Sequence, residues 1–440
     1  MAKRSKQELV PVILDAPLPV DFVDLAGKGP TAVAKDTFIN ARIALNRLDL
    51  DCRYDLFREQ YLINGYKLSL SSEKAGELSD VACRKLRIII RQNFFFEPGE
   101  SNMVNAAKAA CEARAFHPVK DYLDPLKWDG VPRIDSFLSD YMSAEDNEYT
   151  RAVARITFIA SVRRIYRPGT KFDYLPILQG AEGLNKSTAL KVLYGDEFFT
   201  DTSFLGADSK HTDEIGRGMW CVECAEIAGL RKGEMELIKA QLSRTKERIR
   251  RPYDRLAMDV PRTFIAWGTT NEVQFLKPSS GVNRRFLPVT VGRIDIDRIL
   301  ADRDQLWAEA KFYADSGESC MLPEHLWQNA FNERQAFTQS DPWEEDLRDI
   351  SVSAARDQFE DYSDQAIYQR IELSSGEAEE RIASAYVMDQ LNIPTERRTS
   401  ELAKRAANVM RDLGWKGPQS VRINGSTLRG FVRKEPQPWD

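Results

Sequence analysis

The sequence predicts an α/β protein with a mixed α/β N-terminal region, a central α/β core and a small C-terminal domain of helices and a hairpin. Three observations indicate this organisation. Apolar runs with strand character alternate with helical patterns in the middle of the chain. A strongly acidic stretch follows, and a basic, patterned stretch closes the sequence. The length of 440 residues fits two to four domains at roughly 150 residues each.

The composition excludes several classes of protein. Hydrophobic residues make up 42% and charged residues 29% of the chain, which is ordinary for a folded protein and excludes extensive disorder. No apolar run reaches the ~18 residues of a membrane span, and the first residues lack the apolar centre of a secretory signal. The 6 scattered cysteines are typical of reduced cytoplasmic thiols. The net charge of -5 argues against a uniformly basic nucleic-acid binder but permits local basic patches.

The N-terminal region is predicted to span residues 1–125. Its first 30 residues carry scattered prolines without a sustained period, so we expect a loose arm there. Lys85–Gln92 fits either a strand or a short buried helix, because a short apolar run is compatible with both. Met103–Arg114 is predicted as a helix, and Arg151–Tyr166 as a second helix that leads into the core.

A candidate phosphate-binding loop lies at 180–187. Its sequence GAEGLNKS nearly fits the pattern G-x-x-x-x-G-K-[ST], with the apolar strand YLPILQ before it and a helix ending at Gly195 after it. Backbone N–H groups at such a helix start bind polyphosphate, Lys186 adds charge near the outer phosphates, and the Ser187 hydroxyl is a ligand for Mg²⁺. The predicted nucleotide-binding residues are Gly180, Gly183, Leu184, Asn185, Lys186, Ser187 and Thr188.

Two residues depart from the ideal pattern of this loop. Asn185 stands where glycine is usual, but asparagine tolerates a left-handed backbone better than other non-glycine residues, so the loop can survive. Pro176 removes one ladder hydrogen bond, so we expect the strand to begin at Pro176. The alternative that remains for the loop alone is a chance glycine-rich turn before a helix.

Acidic residues end the next apolar strand, Met219–Val222. Glu223 follows it directly and Glu226 comes three residues later; an NTPase needs one acidic residue for Mg²⁺ and another to polarise the attacking water. Cys221 and Cys224 overlap this run as a C-x-x-C pair, which could instead be half of a zinc site or a redox pair. No second such pair exists, and strand alternation turns Cys221 away from its neighbours, so we favour the acidic interpretation.

Two further segments complete the predicted site. Arg262–Asn271 reads as a second strand, at whose tip the Asn271 amide would orient a water beside the γ-phosphate; an ordinary strand and turn is the alternative. Arg284 and Arg285 follow in NRRF, where a guanidinium supplied across a subunit interface would stabilise the transition state. Surface charge alone is the alternative for this pair.

A basic segment separates the two strands, at 243–255. Six basic residues and Tyr253 suit backbone tracking and base stacking on single-stranded nucleic acid, whereas a solvated basic helix end fits the composition equally well. The predicted DNA-binding residues in it are Arg244, Lys246, Arg248, Arg250 and Arg251.

The C-terminal part reads as a winged-helix-like module at 381–440. Helices are predicted at Arg381–Leu391 and at Glu401–Leu413, and two short strands at Ser420–Ile423 and Ser426–Val432 join through an Asn-Gly turn. Basic side chains such as Arg405 would contact DNA, or the module would dock another protein. Residues 341–380 carry 13 acidic and 3 basic residues and read as an acidic linker.

Together these motifs resemble the virulence-associated protein E family, which comprises phage and genomic-island proteins similar to superfamily 3 helicases and to the helicase half of satellite-phage primases. The resemblance runs from about Phe116 to Phe286. Its most specific pieces, in chain order, are FHPVKDYLDPLKWDGVPR, GAEGLNKST, WCVECAEIAGLRK, RRPYDR, GTTN and NRRF.

The resemblance implies an AAA+-like core at 126–340 that assembles as a homo-hexameric ring and hydrolyses ATP with Mg²⁺ between subunits, in the cytoplasm of a bacterial host. Lys186 and Ser187 correspond to the loop, Asn271 to the sensor, and Arg284 or Arg285 to the trans-acting finger. Many relatives have adjacent Asp-Glu in the acidic motif. Here Cys224 separates Glu223 from Glu226, so which one holds the metal and which acts as base stays open.

The function expected from the whole is an ATP-driven DNA helicase or replication initiator of a phage or mobile element, acting on single-stranded or forked DNA. Residues 1–125 show no polymerase-type primase pattern, so we expect a separate primase or initiator protein and a role for this region in oligomerisation or DNA loading. Two alternatives stay open: a P-loop ATPase that loads or remodels proteins without unwinding, and a non-catalytic DNA-binding protein with a degenerate loop.

Overall fold

A computed structural model describes residues 21–27, 32–48, 50–65, 76–225, 232–250, 257–276, 283–338, 341–357, 367–372 and 378–434. Over these residues the chain is an α/β protein, as predicted. None of the helices in the described ranges is long and apolar enough to cross a membrane.

The N-terminal region packs a small sheet against three helices. Its strands run in the order β4-β3-β5, and Leu45, Ile63, Leu86 and Met103 lie in its buried cluster. The ambiguous segment Lys85–Gln92 lies within a helix that Ser79 caps through its side chain. The elements are β1 (Leu25–Ala26), β2 (Val33–Ala34), α1 (Phe38–Asn46), β3 (Asp51–Asp55), β4 (Gln60–Asn64), α2 (Asp80–Phe94), α3 (Glu100–Glu112) and β5 (Ala115–Phe116).

The central region contains most of the secondary structure. Its elements are α4 (Pro118–Leu123), a π-helical turn (Phe137–Tyr141), α5 (Glu148–Tyr166), β6 (Leu175–Gln179), α6 (Lys186–Tyr194), β7 (Phe199–Thr200), α7 (Ser209–Gly216), β8 (Cys221–Cys224), α8 (Lys232–Ser243), β9 (Lys246–Ile249), β10 (Met258–Pro261), β11 (Ile265–Thr270), β12 (Phe286–Thr290), α9 (Ile296–Asp315) and α10 (Trp327–Ala336).

Five of these strands form a parallel sheet in the order β12-β6-β11-β8-β7. All five residues of β6 and all six of β11 are buried, as expected for parallel strands covered on both faces. On one face, α5, α6 and α9 contribute to a large buried cluster that includes Trp220, Trp267 and Trp307. Strand β6 begins at Leu175, one residue before the expected start at Pro176.

The basic segment is part of an antiparallel hairpin, neither a loop throughout nor a helix end. Strand β9 pairs with β10, with Lys246 opposite Pro261 and Ile249 opposite Met258. Alternation buries Glu247 and Ile249 and exposes Lys246 and Arg248. Arg251 and Tyr253 lie outside the described residues.

The C-terminal part forms a second sheet in the order β13-β14-β16-β15, covered by helices. Its Asn-Gly hairpin and the helix capped by Thr399 agree with the predictions. Arg381–Ala383 is strand rather than helix, because these residues pair with β16. The elements are α11 (Pro342–Arg348), α12 (Ile350–Asp357), β13 (Tyr368–Glu372), β14 (Ala378–Ala383), α13 (Ser384–Gln390), α14 (Ser400–Asp412), β15 (Lys416–Ile423) and β16 (Ser426–Lys434).

Part of the segment predicted as an acidic linker packs in this C-terminal cluster. Leu347, Ile350, Ile367 and Tyr368 are all buried in it. Their burial anchors α11 and β13 in the C-terminal domain, because removing apolar side chains from water is energetically favourable.

Candidate nucleotide-binding site

The 180–187 loop joins the carboxyl end of β6 to the start of α6, at the edge where β8 and β11 also end. A Cβ on Gly180 would lie 2.7 Å from the Val291 carbonyl oxygen, so only glycine fits there. Gly183 has φ 81° and open space where a Cβ would be, so its glycine is required by the backbone rather than by packing.

Asn185 adopts the left-handed conformation that the sequence predicted for it. Its φ of 64° and ψ of 32° place it directly before the first turn of α6, where a glycine would otherwise serve. Its side chain makes no capping hydrogen bond to the helix, so its contribution is the backbone turn. This turn directs the first N–H groups of α6 toward the cleft.

Lys186 is held by oxygens from three parts of the loop and sheet edge. Its Nζ donates to the carbonyl oxygens of Gly180 at 2.8 Å and Ala181 at 2.9 Å and to Asn271 Oδ1 at 2.8 Å. The lysine is only 8% exposed, and burial lowers its pKa below the ordinary value, while Glu223 and Glu182 oppose that shift. Lys186 and the predicted sensor Asn271, 85 positions apart in the chain, therefore meet directly.

Glu223 lies at the tip of β8 and is fully buried. Its Oε1 accepts hydrogen bonds from Ser187 Oγ at 2.7 Å and Thr269 Oγ1 at 2.6 Å, whereas its Oε2 is buried without a partner. A buried carboxylate oxygen without a partner, beside a hydroxyl at a helix start, fits the oxygen ligands that Mg²⁺ prefers. Glu226 lies outside the described residues, so its position relative to Glu223 stays a prediction.

Lys186, Ser187 and Asn271 border a cleft of about 330 Å³. Glu223 is not among its lining residues and reaches it only through its bond to Ser187. The cleft lies over the helix N-terminus, where backbone N–H groups and the helix dipole favour an anion. The cleft is lined by Glu182, Gly183, Leu184, Asn185, Lys186, Ser187, Thr188, Ala225, Thr269, Thr270 and Asn271. A predicted nucleotide-binding residue outside this set is Gly180, which lies beneath the loop and accepts from Lys186.

Cys221 and Cys224 lie on opposite faces of the central sheet, so their thiols do not point toward a common metal position. Cys221 packs in the cluster that contains α5 and α6, and Cys224 packs in the cluster on the other face of the sheet. Burial raises the pKa of both thiols. Within the described ranges, no three or more His, Cys, Asp or Glu side chains are grouped in a way that could hold a metal.

Arg284 and Arg285 lie away from this cleft, at the opposite edge of the sheet. They form a 3₁₀ turn directly before β12, so they precede the strand whose far end borders the loop. A five-residue strand such as β12 spans roughly 16 Å at about 3.3 Å per residue. Arg285 pairs with Asp173 at 3.2 Å, while Arg284 is exposed and pairs with no carboxylate of the described chain.

The predicted DNA-binding residues are in different electrostatic situations. Asp259 binds both Lys246 at 2.5 Å and Arg248 at 3.0 Å, and Arg244 lies 3.4 Å from Glu247. Arg405 lies on α14, far along the chain, where it makes a bidentate pair with Asp341 and stacks on Trp343. To contact a phosphate, each of these four cations has to exchange an existing carboxylate partner.

Sequence reasoning missed Thr269 and the cationic group around Arg284. Thr269 precedes the tip of β11 and supports Glu223, and the GTTN run offered a hydroxyl at that position as a signal. Arg334 lies beside Arg284 and Arg285 in a second cavity. No sequence signal indicates this proximity, because it depends on how α10 packs beside β12.

Comparisons with known proteins give one family and several distant folds. Residues 123–339 match the Virulence-associated protein E-like domain. The apo structure of the NrS-1 C-terminal region is 13% identical, with a TM-score of 0.48 over 90% of this chain and 99% of that chain. The solved structure "SCCmec type IV Cch - active helicase" is 11% identical, with a TM-score of 0.35 over 96% of this chain and 98% of that chain. The comparison with curated proteins gives no significant match. Residues 123–339 therefore belong to the virulence-associated protein E-like family, as the order of the motifs predicted.

Proposed function

We propose that the chain is an ATP-dependent DNA helicase or replication initiator of a phage or mobile element, with a P-loop ATPase core of AAA+-like type. One observation carries the proposal: Lys186, Ser187, Glu223 and Asn271 come from three strand ends and meet at one edge of a parallel sheet. Chance glycine-rich turns do not gather a buried lysine, a buried carboxylate and an amide in this way.

The order of the strands in the sheet also supports a P-loop ATPase core. Strand β11 lies between β6 and β8, so its polar tip lies between the loop and the acidic residue. In a nucleotide-hydrolysing site this is where a polar side chain can reach the γ-phosphate and the attacking water. Asn271 is exposed at this tip and already touches Lys186, which would carry charge to the same phosphate.

The chemistry we propose follows from these contacts. The loop N–H groups and Lys186 bind the phosphates, with Lys186 exchanging its carbonyl partners for phosphate oxygens. Ser187 and Glu223 would hold Mg²⁺, which supplies charge neutralisation on the phosphate oxygens when bound. Asn271 orients the attacking water, and Glu226 is proposed as the residue that polarises it.

Hydrolysis is proposed to occur between subunits of a homo-hexameric ring. Arg284 and Arg285 precede β12 and lie at the sheet edge opposite their own loop, so neither reaches the phosphates of its own subunit without a large rearrangement. An arginine placed there can act only on the nucleotide of a neighbour. Because Arg285 is paired with Asp173 and Arg284 is exposed, we assign the finger to Arg284.

DNA contact is proposed for the hairpin β9–β10 and for the C-terminal winged-helix-like part. Lys246 and Arg248 lie on β9 and Arg250 directly follows it, and DNA phosphates would compete with Asp259 for Lys246 and Arg248. On the C-terminal part, Arg405 would have to leave Asp341 before it contacts DNA, so this residue is the weaker candidate.

The deciding experiment measures ATP hydrolysis with and without single-stranded DNA, on protein whose mass is determined by light scattering, together with strand separation of a forked duplex. A helicase hydrolyses ATP with Mg²⁺, is stimulated by DNA and separates the strands. Hydrolysis without DNA stimulation or unwinding would favour the protein-loading ATPase. No Mg²⁺-dependent hydrolysis would leave the non-catalytic DNA-binding protein.

A further inference from the structure

A second cavity, of about 290 Å³, opens at the amino-end edge of the sheet. Lys171, Arg284, Arg285 and Arg334 contribute four cations to its lining, and among the lining residues that the structure describes Asp173 is the only acidic one. Asp173 is already bonded to Arg285. The described lining therefore carries a net positive charge that none of its own residues balances.

Arg334 is the unusual member of this group. It is 9% exposed, and its guanidinium has neither a hydrogen bond nor an ion pair within the described part of the chain. Burial lowers the pKa of Arg334, and the two tyrosines near it, Tyr149 and Tyr174, do not supply a full negative charge. Buried arginines are ordinarily satisfied, as Arg164 is here by three backbone carbonyl oxygens.

Its helix does not explain this burial. Arg334 lies in the last turn of α10, where the helix dipole favours a cation, but that effect is weak beside the cost of burying a charge. Its backbone carbonyl accepts from Phe337 N and Thr338 Oγ1, and neither bond involves the side chain. The Arg334 nitrogens are not among the fully buried unpartnered atoms of the described residues, so they face the cavity that Arg334 lines. A largely buried cation that faces a cavity and has no internal partner indicates a ligand that supplies the negative charge.

We propose that Lys171, Arg284 and Arg334 bind the terminal phosphates of a nucleotide, and that in the assembled protein this nucleotide is held by the loop of a neighbouring copy. The statement that a neighbouring copy binds the nucleotide rests on the proposed function, whereas phosphate binding by the cavity does not. Arginine guanidinium groups suit this ligand because their fork of N–H donors matches phosphate oxygens. The cavity volume of about 290 Å³ lies at the lower end of ordinary ligand pockets, which span roughly 300–1,000 Å³, so the cavity suits the phosphate end of a nucleotide better than a whole nucleotide.

The test uses tripolyphosphate, titrated by calorimetry into the full-length Lys186→Ala protein without Mg²⁺, so that the loop lacks its own cation. Adding Arg334→Met should weaken the remaining binding at least tenfold, and Arg334→Lys should retain part of it. Arg151→Met, which removes an exposed arginine paired with Asp146, is the matched control and should leave binding unchanged. Unchanged affinity in the Arg334→Met protein would overturn the site.

Thermal unfolding separates a ligand-binding role from a structural one. Arg334→Met removes an unpartnered buried charge and keeps an apolar chain of similar length, so the Tm of the ligand-free protein should stay the same or rise. A lower Tm accompanied by weaker tripolyphosphate binding would assign Arg334 to the packing of α10 and overturn the proposal.

Mixing two subunit variants tests whether a neighbouring copy binds the nucleotide. Lys186→Ala subunits and Arg334→Met subunits should together regain hydrolysis that neither has alone, since some interfaces then pair an intact loop with an intact cavity. If Arg334 is needed for tripolyphosphate binding but rings made only of Arg334→Met subunits hydrolyse ATP at the wild-type rate, the neighbour's nucleotide is excluded as the ligand and the cavity binds a free phosphate. A protein that never hydrolyses ATP would refute the proposed function, while the calorimetry would still decide the cavity.

Discussion

The two edges of the central sheet hold their cations in opposite ways. At the carboxyl edge, Lys186 donates to three oxygens of its own subunit and is satisfied before any ligand binds. At the amino edge, Arg284 and Arg334 have no carboxylate partner within the described chain. The first edge is a complete site that exchanges internal partners for phosphate, whereas the second is a half-site whose anion must come from outside.

The free energies of the two effects on Arg334, charge burial and the helix dipole, differ in size. Burying an unpaired charge costs several kcal/mol even after relaxation, whereas a favourable place at a helix C-terminus returns about 0.3–1 kcal/mol. An unpaired buried charge is retained at a position where function requires it, because functional sites are commonly the strained and destabilised parts of a protein. The amino edge is therefore expected to gain stability on assembly or ligand binding, and the carboxyl edge to depend on assembly much less.

The largest effect is expected at the carboxyl edge. Lys186→Ala removes the cation that would neutralise the outer phosphates, so ATP hydrolysis should fall below detection while the far-ultraviolet circular dichroism stays unchanged. Lys191→Ala is the control, because Lys191 lies on the same helix and pairs at the surface with Asp196 at 2.8 Å. Phosphate release measures both variants, and wild-type turnover in Lys186→Ala would remove the loop from the mechanism.

The second effect tests the half-site. Arg284→Ala should reduce hydrolysis by about 10³-fold or more, the typical contribution of a finger supplied in trans. Arg285→Ala should reduce it less, because Arg285 is engaged with Asp173 at the start of β6.

Mixing Lys186→Ala subunits with Arg284→Ala subunits should restore part of the activity, and dilution below the assembly concentration should abolish that recovery. Mixed rings that stay inactive at every ratio would argue against a trans role. A ring carrying only the arginine substitution would then distinguish a structural arginine from a tightly coordinated ring, since tight coordination predicts complete inactivity.

A smaller effect is expected at Asn185, where the carboxyl edge depends on the backbone. Asn185→Gly should keep nucleotide affinity, while Asn185→Val should weaken it about 5–30-fold, because a left-handed β-branched residue costs roughly 1–2 kcal/mol or more. Equilibrium binding of a fluorescent nucleotide measures this. Equal affinity in all three proteins would mean that phosphate binding does not require the φ of 64° at this position.

The sequence predicted the carboxyl edge far better than the amino edge. The spacing of glycines, Lys186 and Ser187 is local, and the left-handed Asn185 followed from residue type alone. The meeting of Glu223 and Asn271 with the loop could be anticipated because parallel strands end at a common edge. The lack of a partner for Arg334 could not be anticipated, since it depends on which side chains lie near α10 in the folded protein.

The same dependence on contacts between distant residues explains other features that the sequence did not determine. Arg381–Ala383 has a helical neighbour in sequence but pairs with β16, some 50 positions away, and this pairing overrides local preference. Arg405 was predicted to contact DNA, and its pair with Asp341 was not anticipated because the two residues are 64 positions apart in the chain. The short apolar run Lys85–Gln92 was ambiguous until Ser79 fixed a helix start.

The smallest effect is expected at the β9–β10 hairpin, where the cations are paired with a carboxylate but remain exposed. Asp259 neutralises Lys246 and Arg248 on the hairpin, and these bonds hold the pKa of Asp259 below its usual value. Such exposed pairs are weak, so phosphates should displace Asp259 readily. Asp259→Asn should therefore strengthen single-stranded DNA binding several-fold, and the slope of log affinity against log salt should steepen by about 0.7 for each additional phosphate that the protein neutralises. Fluorescence anisotropy over a series of salt concentrations measures both quantities.

Asp146→Asn is the matched control for this prediction, because it frees the exposed Arg151 in the same way but away from the hairpin. If both variants steepen the slope equally, the stronger binding is a general effect of net charge. If only Asp259→Asn does so, Lys246 and Arg248 contact the DNA backbone, and the hairpin, unlike either edge of the sheet, exchanges one exposed anion for another at little cost.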